Sequence, residues 1–519
     1  MTETRRIPIR RALFSTHDKT GVIDLARVLA EGGVELLATG ATARALEGAG
    51  LAVQSLEDLT GFGELFDGRL KTLTPPVHGG LLMRRDHPQD REQAQAHGIR
   101  AIDLLCVNLY PFQDTVARAA GDRAACIEMI DVGGPAMLRA AAKNHRDVVV
   151  VSSPEQYGEV AAQLREKGCT VEETLASRLA AEAFALTAAY DAAIFRYLSG
   201  GLGAAAHWAT GGRRWMALRY GENPTQAAAC YLCGKSFWKD LEFHQGRELS
   251  YNNLADLWCG WRAIEEFDEC AGVVIKHRMP SGLALGESPL EAFRRARDCD
   301  ALSAFGGIVL VNREVNEELA DEIGAMFLEV VAAPAWKPPA LDRLRRKKNL
   351  RILTLPPAAE EPASPGPDFF ALGDAVLVQD PLPRLSRPEQ WRLATRVGAE
   401  RDVLAELHFA WRVVRHVRSN AIVLTRGRQT VGVGGGQTSR IDACEVALMK
   451  AARAGHEVQG SVLASDAFFP FPDVVRRVAG AGVRAIVQPG GSRNDAESVA
   501  ACEEFGLPMY FTGERVFAH

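Results

Sequence analysis

Short apolar runs alternate with helix-period stretches along nearly the whole chain. Ala12–Ser15 is one such run, and the polar turn Asp18-Lys19-Thr20-Gly21 leads from it into a helical pattern carrying Val22, Ile23, Leu25, Ala26, Val28 and Leu29. Glu35–Ala38 is a second run ending in Thr39-Gly40-Ala41-Thr42, and Ile102–Leu109 and Asp147–Ser152 repeat the signal. Strands that take turns with helices imply a parallel sheet covered on both faces. In such a sheet ligands lie beyond the carboxyl ends of the strands, where these Gly, Thr and Ser turns fall.

At 519 residues the chain exceeds what one core organises, and about 150 residues per domain gives roughly three or four units. Ser199–Gly212, rich in Gly and Ala, breaks the periodicity and marks one boundary. Pro356–Asp368, with prolines at 356, 357, 362, 365 and 367, marks a second. Gly272–Ile275 and Ile308–Val311 alternate with helical patterns between them, and Ala421–Thr425, Val431–Val433, Ser461–Ala464 and Ala485–Gln488 do so beyond. The expected organisation is residues 1–198, a linker at 199–212, and two α/β units of similar size at 213–368 and 369–519, without a residue-level repeat.

Charge and cysteine usage narrow the class. Sixty Lys+Arg against 65 Asp+Glu give a net charge of −5, which argues against a basic nucleic-acid footprint over the whole chain. Met1–Arg11 carries four arginines but no apolar signal-peptide core, and no run approaches the ~18 apolar residues of a membrane span. The ten cysteines are scattered; Cys230 and Cys233 form a C-x-x-C with no second pair at zinc spacing, so the pair reads as structural. A cytosolic protein with reduced thiols, and with neither nucleic acid nor membrane as partner, is expected.

Several polar clusters fall at the expected strand ends. Asp67-Gly68-Arg69-Leu70-Lys71-Thr72 puts cations and a hydroxyl after a glycine, beside Ser15-Thr16-His17-Asp18-Lys19 and Thr39–Thr42, and three such turns make an anion site. Asn108-Leu109-Tyr110-Pro111-Phe112 follows, then Asp131-Val132-Gly133-Gly134-Pro135 and a helix carrying Arg139 and Lys143. Taken singly, Asp131 reads as a helix cap and Lys143 as a solvent-facing lysine. In the second half, Val273-Val274-Ile275-Lys276-His277 delivers Lys and His together; both reach one site only if the strand ends or bulges there. Gly432–Arg440 reads G-V-G-G-G-Q-T-S-R and opens a helix without the spacing of a P-loop or a dinucleotide loop. Ser465–Phe471 carries three aromatics that stack on a flat ligand or fill a core, and Gln488–Ser492 is a turn that lets backbone approach closely. The residues by themselves describe an α/β enzyme with two anionic-ligand sites.

The ordered motifs say more. They are S-x-x-D-K-T-G at Ser15–Gly21, D-G-R-L-K-T-L at Asp67–Leu73, N-L-Y-P-F at Asn108–Phe112, A-A-K-N-H at Ala141–His145, R-Y-G-E-N-P at Arg219–Pro224, L-S-Y-N-N at Leu249–Asn253, S-D-A-F-F-P-F and Q-P-G-G-S. From Leu13 to His519 the chain resembles the bifunctional purine biosynthesis enzymes that join AICAR transformylase to IMP cyclohydrolase. The resemblance implies a methylglyoxal-synthase-like parallel-sheet domain followed by two cytidine-deaminase-like α/β subdomains. The zinc signature of true deaminases (H-x-E with P-C-x-x-C) does not occur, so only the fold would be shared and no metal is expected.

For formyl transfer from 10-formyltetrahydrofolate to AICAR, the resemblance assigns His277 as base and Lys276 as oxyanion stabiliser. Arg219, Tyr220, Gly306, Glu329, Asn420, Arg440, Phe468 and Arg515 match positions that hold AICAR, and Ile441, Asp473, Gly490 and Gly491 match folate-site positions. For closure of FAICAR to IMP, Lys143 matches the proton donor/acceptor, with Lys71, Tyr110 and Asp131 nearby; Ser15, Lys19, Thr39, Gly40, Thr42, Arg69, Thr72 and Asn108 would hold the nucleotide. The folate is a co-substrate, with no tightly bound cofactor, and a homodimer with transformylase sites at the subunit interface is implied. Departures from the family pattern fall at Ala41 (for Gly), Thr74 (for His), Pro76, Thr225 (for His), Met279 and Ser281. A left-handed φ at Ala41 would cost about 1 kcal/mol. These departures motivate a second reading, a paralogue with one silent site or a purine-nucleotide-binding protein without turnover.

Overall fold

A computed structural model describes residues 5–61, 63–119, 121–200, 205–233, 237–356 and 367–519. The boundary expected at Pro356–Asp368 falls mostly outside the described residues, as does part of the one at Ser199–Gly212. The chain divides into two compact units: Met1–Arg214 with Tyr231–Ser236, and Trp215–Cys230 with Phe237–His519. No helix among the described residues is long and apolar enough to cross a membrane.

The first unit is built on five parallel strands in the order Val53–Ser55, Glu35–Ala38, Arg11–Thr16, Leu104–Asn108, Val149–Val151. Their residues are apolar without alternation because helices cover both faces: Leu104–Val107 and Val149–Val151 are entirely buried. Val22–Glu31 buries Val22, Leu25, Ala26, Val28 and Leu29, the stripe its sequence period requires. The sheet places the ends of the strands closing at Thr16, Ala38 and Asn108 side by side, which brings the polar turns together.

The second unit holds two six-stranded mixed sheets. The first runs Glu242–Gln245, Arg351–Thr354, Val330–Ala333, Ile308–Val311, Ala271–Lys276, Met279–Leu285. The second runs Arg392–Leu393, Met509–Phe511, Ala485–Gln488, Val462–Ser465, Ile422–Thr425, Thr430–Gly434. Neighbours pair antiparallel, parallel, parallel, antiparallel and antiparallel in both, and the strands enter in the same chain order. The two halves are therefore one topology written twice. Even the irregularity recurs, with a register shift at Val274/Ile275 in one hairpin and at Leu424/Thr425 in the other.

A glycine on each outer hairpin strand lets the following helix lie against the sheet. A Cβ at Gly282 would stand 2.0 Å from the Ala296 carbonyl oxygen, and one at Gly434 would stand 1.9 Å from that of Ala443. The sheets also meet edge to edge. Thr430 Oγ1 accepts the Leu283 N–H at 2.9 Å and donates to the Leu283 carbonyl at 3.1 Å, and Ala284 bridges Gln429 antiparallel. That antiparallel joint puts the amino ends of Ile308–Val311 and Val330–Ala333 at the same end as the carboxyl ends of Val462–Ser465 and Ala485–Gln488.

Candidate active sites

In the first unit the strand ends knit hydroxyls together. Thr39 Oγ1 donates to Ser15 Oγ at 3.0 Å, and Thr42 Oγ1 accepts the Thr16 N–H at 3.1 Å. Thr39 is the N-cap of the helix Gly40–Gly48; its carbonyl accepts the Thr42 N–H at 2.8 Å and the Ala43 N–H at 3.0 Å, while its side chain makes no cap bond. Asn108 Oδ1 accepts the N–H groups of His17 and Asp18 and its amide donates to the Asp18 carbonyl at 2.7 Å, fixing the loop on which Lys19 sits. Lys19 Nζ turns back to the Thr16 carbonyl at 3.2 Å.

The loop before Lys71 is left-handed at Phe66, Asp67 and Gly68. It carries Lys71 to Glu64, with Nζ 3.0 Å from the carboxylate, and Arg69 to an ion pair with Glu128. Thr72 is buried where a Cβ on Gly133 would meet its Oγ1 at 2.5 Å, so Gly133 is required for the loop and the helix Gly133–Lys143 to touch. Asp131 caps that helix from outside its first turn, accepting the Gly134 N–H at 2.8 Å. Burial pushes its carboxyl above the usual range, opposed by the Gly134 and Tyr110 N–H groups and the Lys71 charge. Thus Ser15, Thr39, Gly40, Thr42, Lys71, Thr72, Asn108, Tyr110 and Asp131 share one end of the sheet. A cavity of about 210 Å³ there is lined in part by Thr39, Gly40, Glu64 and Lys71. Lys143 stands apart, exposed at the far end of its 11-residue helix, about 16 Å of helix away from Asp131.

Ala41 lies inside the helix Gly40–Gly48 in ordinary helical conformation, and the left-handed position is Gly40 (φ 20). The replacement of the second glycine therefore carries no backbone strain. Thr74 caps the helix Pro75–Leu82 in position only: prolines occupy its first two residues, no donor reaches the hydroxyl, and its buried Oγ1 is unpartnered.

In the second unit the strand Ala271–Lys276 ends at Lys276, and His277 and Arg278 form the hairpin turn with φ of 53 and 60. The strand ends between them, so the opposite-face rule for neighbouring strand residues does not separate the two side chains. Lys276 Nζ donates to the carbonyls of Phe305 at 2.9 Å and Gly306 at 3.0 Å, while His277 stays exposed. Arg278 pairs with Glu222 at 3.0 Å and covers Tyr251, so the R-Y-G-E-N-P and L-S-Y-N-N motifs close around this turn. Arg219 donates to the Tyr220 hydroxyl at 2.7 Å, its N–H to the Leu249 carbonyl, and Asn253 holds Glu329 at 2.8 Å. Ser250 and Asn253 form the capping box of the helix Tyr251–Ile264, which is why that motif needs both.

The second half contributes a cavity of about 570 Å³. Asn420, Arg440, Ile441, Phe468, Asp473 and Arg515 line it, with Thr438, Ser439, Pro470, Phe471 and Phe517 among their neighbours. Ser439 caps the helix Arg440–Arg453 through the Asp442 N–H at 3.1 Å. The Arg440 guanidinium is committed to Asp466, which is fully buried, and to the Ala421 carbonyl at 3.2 Å; burial pushes it below its ordinary value, opposed by Asp466. Gly490 and Gly491 are both left-handed, and Asn494 of the same turn donates to the Pro470 carbonyl at 2.8 Å, joining that turn to the Phe468–Phe471 loop. Met279 packs on this side too: a Cβ on Gly435 would meet its sulfur at 2.7 Å. Ser281 is buried with its hydroxyl on the Val274 carbonyl, and Thr225 is exposed.

Three carboxylates emerge that the sequence reading did not single out as site residues: Glu64 on Lys71, Asp466 under Arg440, and Asp256 behind the His277 turn. Asp256 had a signal, a charge at helical spacing between Leu254 and Leu257 on a buried face. Glu64 had none, since its partner lies across a loop.

A parallel sheet that gathers hydroxyls, a lysine and a carboxylate at its strand ends, together with a duplicated pair of sheets carrying a Lys-His turn and an arginine-lined cavity, defines an enzyme with two centres for anionic ligands. A family model described as AICARFT/IMPCHase bienzyme matches residues 141–450, and one described as MGS-like domain matches residues 21–136. The "Bifunctional purine biosynthesis protein PurH" of Jannaschia sp. (strain CCS1) is 46% identical over 99% of this chain and 99% of its own. That of a Synechocystis strain is 45% identical over 98% of this chain and 100% of its own, and that of Mycobacterium marinum 43% over 100% of both. The chain belongs to the AICARFT/IMPCHase bienzyme family, with the methylglyoxal-synthase-like domain first and the transformylase region after it.

Proposed function

We infer that this chain carries out the last two steps of IMP synthesis. In the first, the 5-amino group of AICAR attacks the formyl carbon of 10-formyltetrahydrofolate. The bond from that carbon to N10 breaks, the amine gives up a proton, N10 takes one, and FAICAR and tetrahydrofolate result. In the second, the FAICAR carboxamide nitrogen attacks the formyl carbon and water leaves, giving IMP. What supports the reading is that the chain is similar to the PurH proteins over its full length, with the expected hydroxyls, Lys71 and Asp131 in the first unit and the Lys-His turn and arginine-lined cavity in the second. The silent-site reading has no such support: Ala41 is unstrained.

The AICAR amine is delocalised into its ring and is a weak nucleophile, so it needs deprotonation as it attacks. His277, exposed at the hairpin turn, is the base, and Lys276 stabilises the oxyanion on the formyl carbon. Arg219, Tyr220, Gly306, Glu329, Asn420, Arg440, Phe468 and Arg515 hold AICAR, and Ile441, Asp473, Gly490 and Gly491 the folate, which is a co-substrate rather than a resident cofactor. Ring closure is intramolecular, so orientation supplies much of its rate. Lys71, Asp131 and Tyr110 act there with Lys143 as proton donor/acceptor; Ser15, Lys19, Thr39, Gly40, Thr42, Arg69, Thr72 and Asn108 hold the nucleotide. The cyclohydrolase domain spans 1–198, and the transformylase subdomains 213–368 and 369–519. The enzyme works in the cytoplasm as a homodimer.

The test is to assay His277→Ala and Lys143→Ala separately for AICAR formylation and for cyclisation of supplied FAICAR. The first should lose formylation alone, the second cyclisation alone. If both variants keep both activities, the site assignment fails. If only Lys143→Ala cyclises normally, the proton role passes to Lys71, the lysine beside Asp131.

A further inference from the structure

The turn that carries His277 breaks the chemistry of its own backbone. Lys276 pairs with Met279, so His277 and Arg278 are the two central residues of a tight hairpin, and both are left-handed. Such turns favour Asn-Gly because side chains oppose that conformation. Here two bulky residues occupy it, and left-handed non-glycine residues persist only where their surroundings over-determine them.

One side chain does so. Asp256, in the second turn of the helix Tyr251–Ile264, accepts the Arg278 N–H at 2.6 Å and also faces the His277 N–H. The duplicated half repeats the device: Glu406, on the helix Arg401–Val414, accepts the N–H of left-handed Arg428 at 2.7 Å in the corresponding hairpin turn. There the residue before Arg428 is Gly427, also left-handed. The carboxylate clamp therefore belongs to the turn backbone and exists where no histidine follows the strand. In the first half it holds a histidine where the second half has glycine.

We propose that Asp256 is a positioning residue for formyl transfer, a backbone clamp that holds the His277–Arg278 turn left-handed and so aims His277 and Lys276. The proposal rests on the assignment of His277 as the base. Without the clamp the turn relaxes, the imidazole leaves its line to the amine, and turnover falls while nucleotide binding by Arg219, Asn420 and their neighbours persists.

The experiment is a cycle of Asp256→Asn, Arg278→Gly and the double variant in the full chain, with His277→Ala as reference. Each is assayed for kcat and KM of AICAR formylation and for FAICAR cyclisation. Asp256→Asn is expected to lower formylation kcat at least about tenfold, to change the AICAR KM less than about threefold, and to leave cyclisation intact. Glycine at 278 adopts the left-handed conformation without help, so Asp256→Asn should cost at least about threefold less in the Arg278→Gly background. An equal cost in both backgrounds overturns the clamp, as does an Asp256→Asn variant with wild-type kcat or one that loses cyclisation as well. If His277→Ala still formylates AICAR, it is the assignment of the base that fails instead.

Discussion

Asp131 and Lys71, proposed for the cyclisation site, show how single residues can be tested. Burial raises the Asp131 carboxyl above its ordinary value of 3.8, so its charge is lost as pH falls through that raised value, earlier than for an exposed aspartate. If the ionised form is the working one, cyclisation of FAICAR should decline on the acid side with an apparent pKa above 3.8, and Asp131→Asn should abolish that limb. The stability sign is the reverse of the usual carboxylate. The protonated form is the one folding favours, so this group's contribution is present below its unfolded pKa and fades as pH rises through the folded one. Lys71→Ala should reduce cyclisation at least about 100-fold, the scale of a lost acid–base group, with AICAR formylation unchanged in the same preparation. Thr74 offers a stability counterpart. Its buried hydroxyl has no hydrogen-bond partner at a helix start occupied by prolines, so Thr74→Val removes an unsatisfied polar group; thermal unfolding should show a gain of about 1 kcal/mol.

Elements in this fold are joined by what their glycines lack. The helices Pro289–Asp298 and Arg440–Arg453 lie on Gly282 and Gly434 at distances no side chain allows, and in each case the obstacle is backbone. Gly434→Ala should therefore cost about 1–3 kcal/mol in chemical denaturation, whereas Gly48→Ala, at a helix end with open space around it, should be neutral or stabilising. The same contrast explains what the sequence made legible. Continuous apolar runs such as Glu35–Ala38, Ile308–Val311 and Ala485–Gln488 are strands at the expected residues, because burial on both faces demands that composition. Met279–Leu285 was not legible: Pro280 and Gly282 interrupt the apolar pattern of a strand, yet the segment is one, and Gly282 is there for the helix behind it. The polar groups divide likewise. Hydroxyls and glycines at strand ends were recognisable, and Asp256 left a trace in its helical spacing, while Glu64 and Asp466 reach partners across a loop and a sheet, where spacing carries no signal. Ser15, Asn108 and Asp466 stand at carboxyl strand ends, where parallel sheets place ligands, whereas Gly306 and Glu329 precede their strands.

The duplicated topology of the second unit sets how it must unfold. Two copies of one α/β pattern suggest two independent bodies, and the proline-rich stretch between them encourages that view. The packing argues otherwise. Val273, Ile275, Leu310 and Val330 of the first sheet share one buried cluster with Val423, Val462 and Ala485 of the second, and Leu257, Leu407 and Trp411 from the two intervening helices complete it. Separating the halves would expose that cluster and break the Thr430–Leu283 joint, whose groups are buried. Each buried methylene carries about 0.8 kcal/mol, so exposing a dozen apolar side chains exceeds the net stability of an ordinary domain. Residues 213–368 and 369–519 expressed separately should therefore fail to give folded protein, and the intact transformylase unit should unfold in one step by tryptophan fluorescence and by circular dichroism. Thr430→Val leaves the Leu283 N–H and carbonyl without their partner at the joint. It should lower stability by about 1–3 kcal/mol while that single transition stays single. Two resolved transitions in the variant, or a folded half on its own, would show that the shared core is not what holds the copies together.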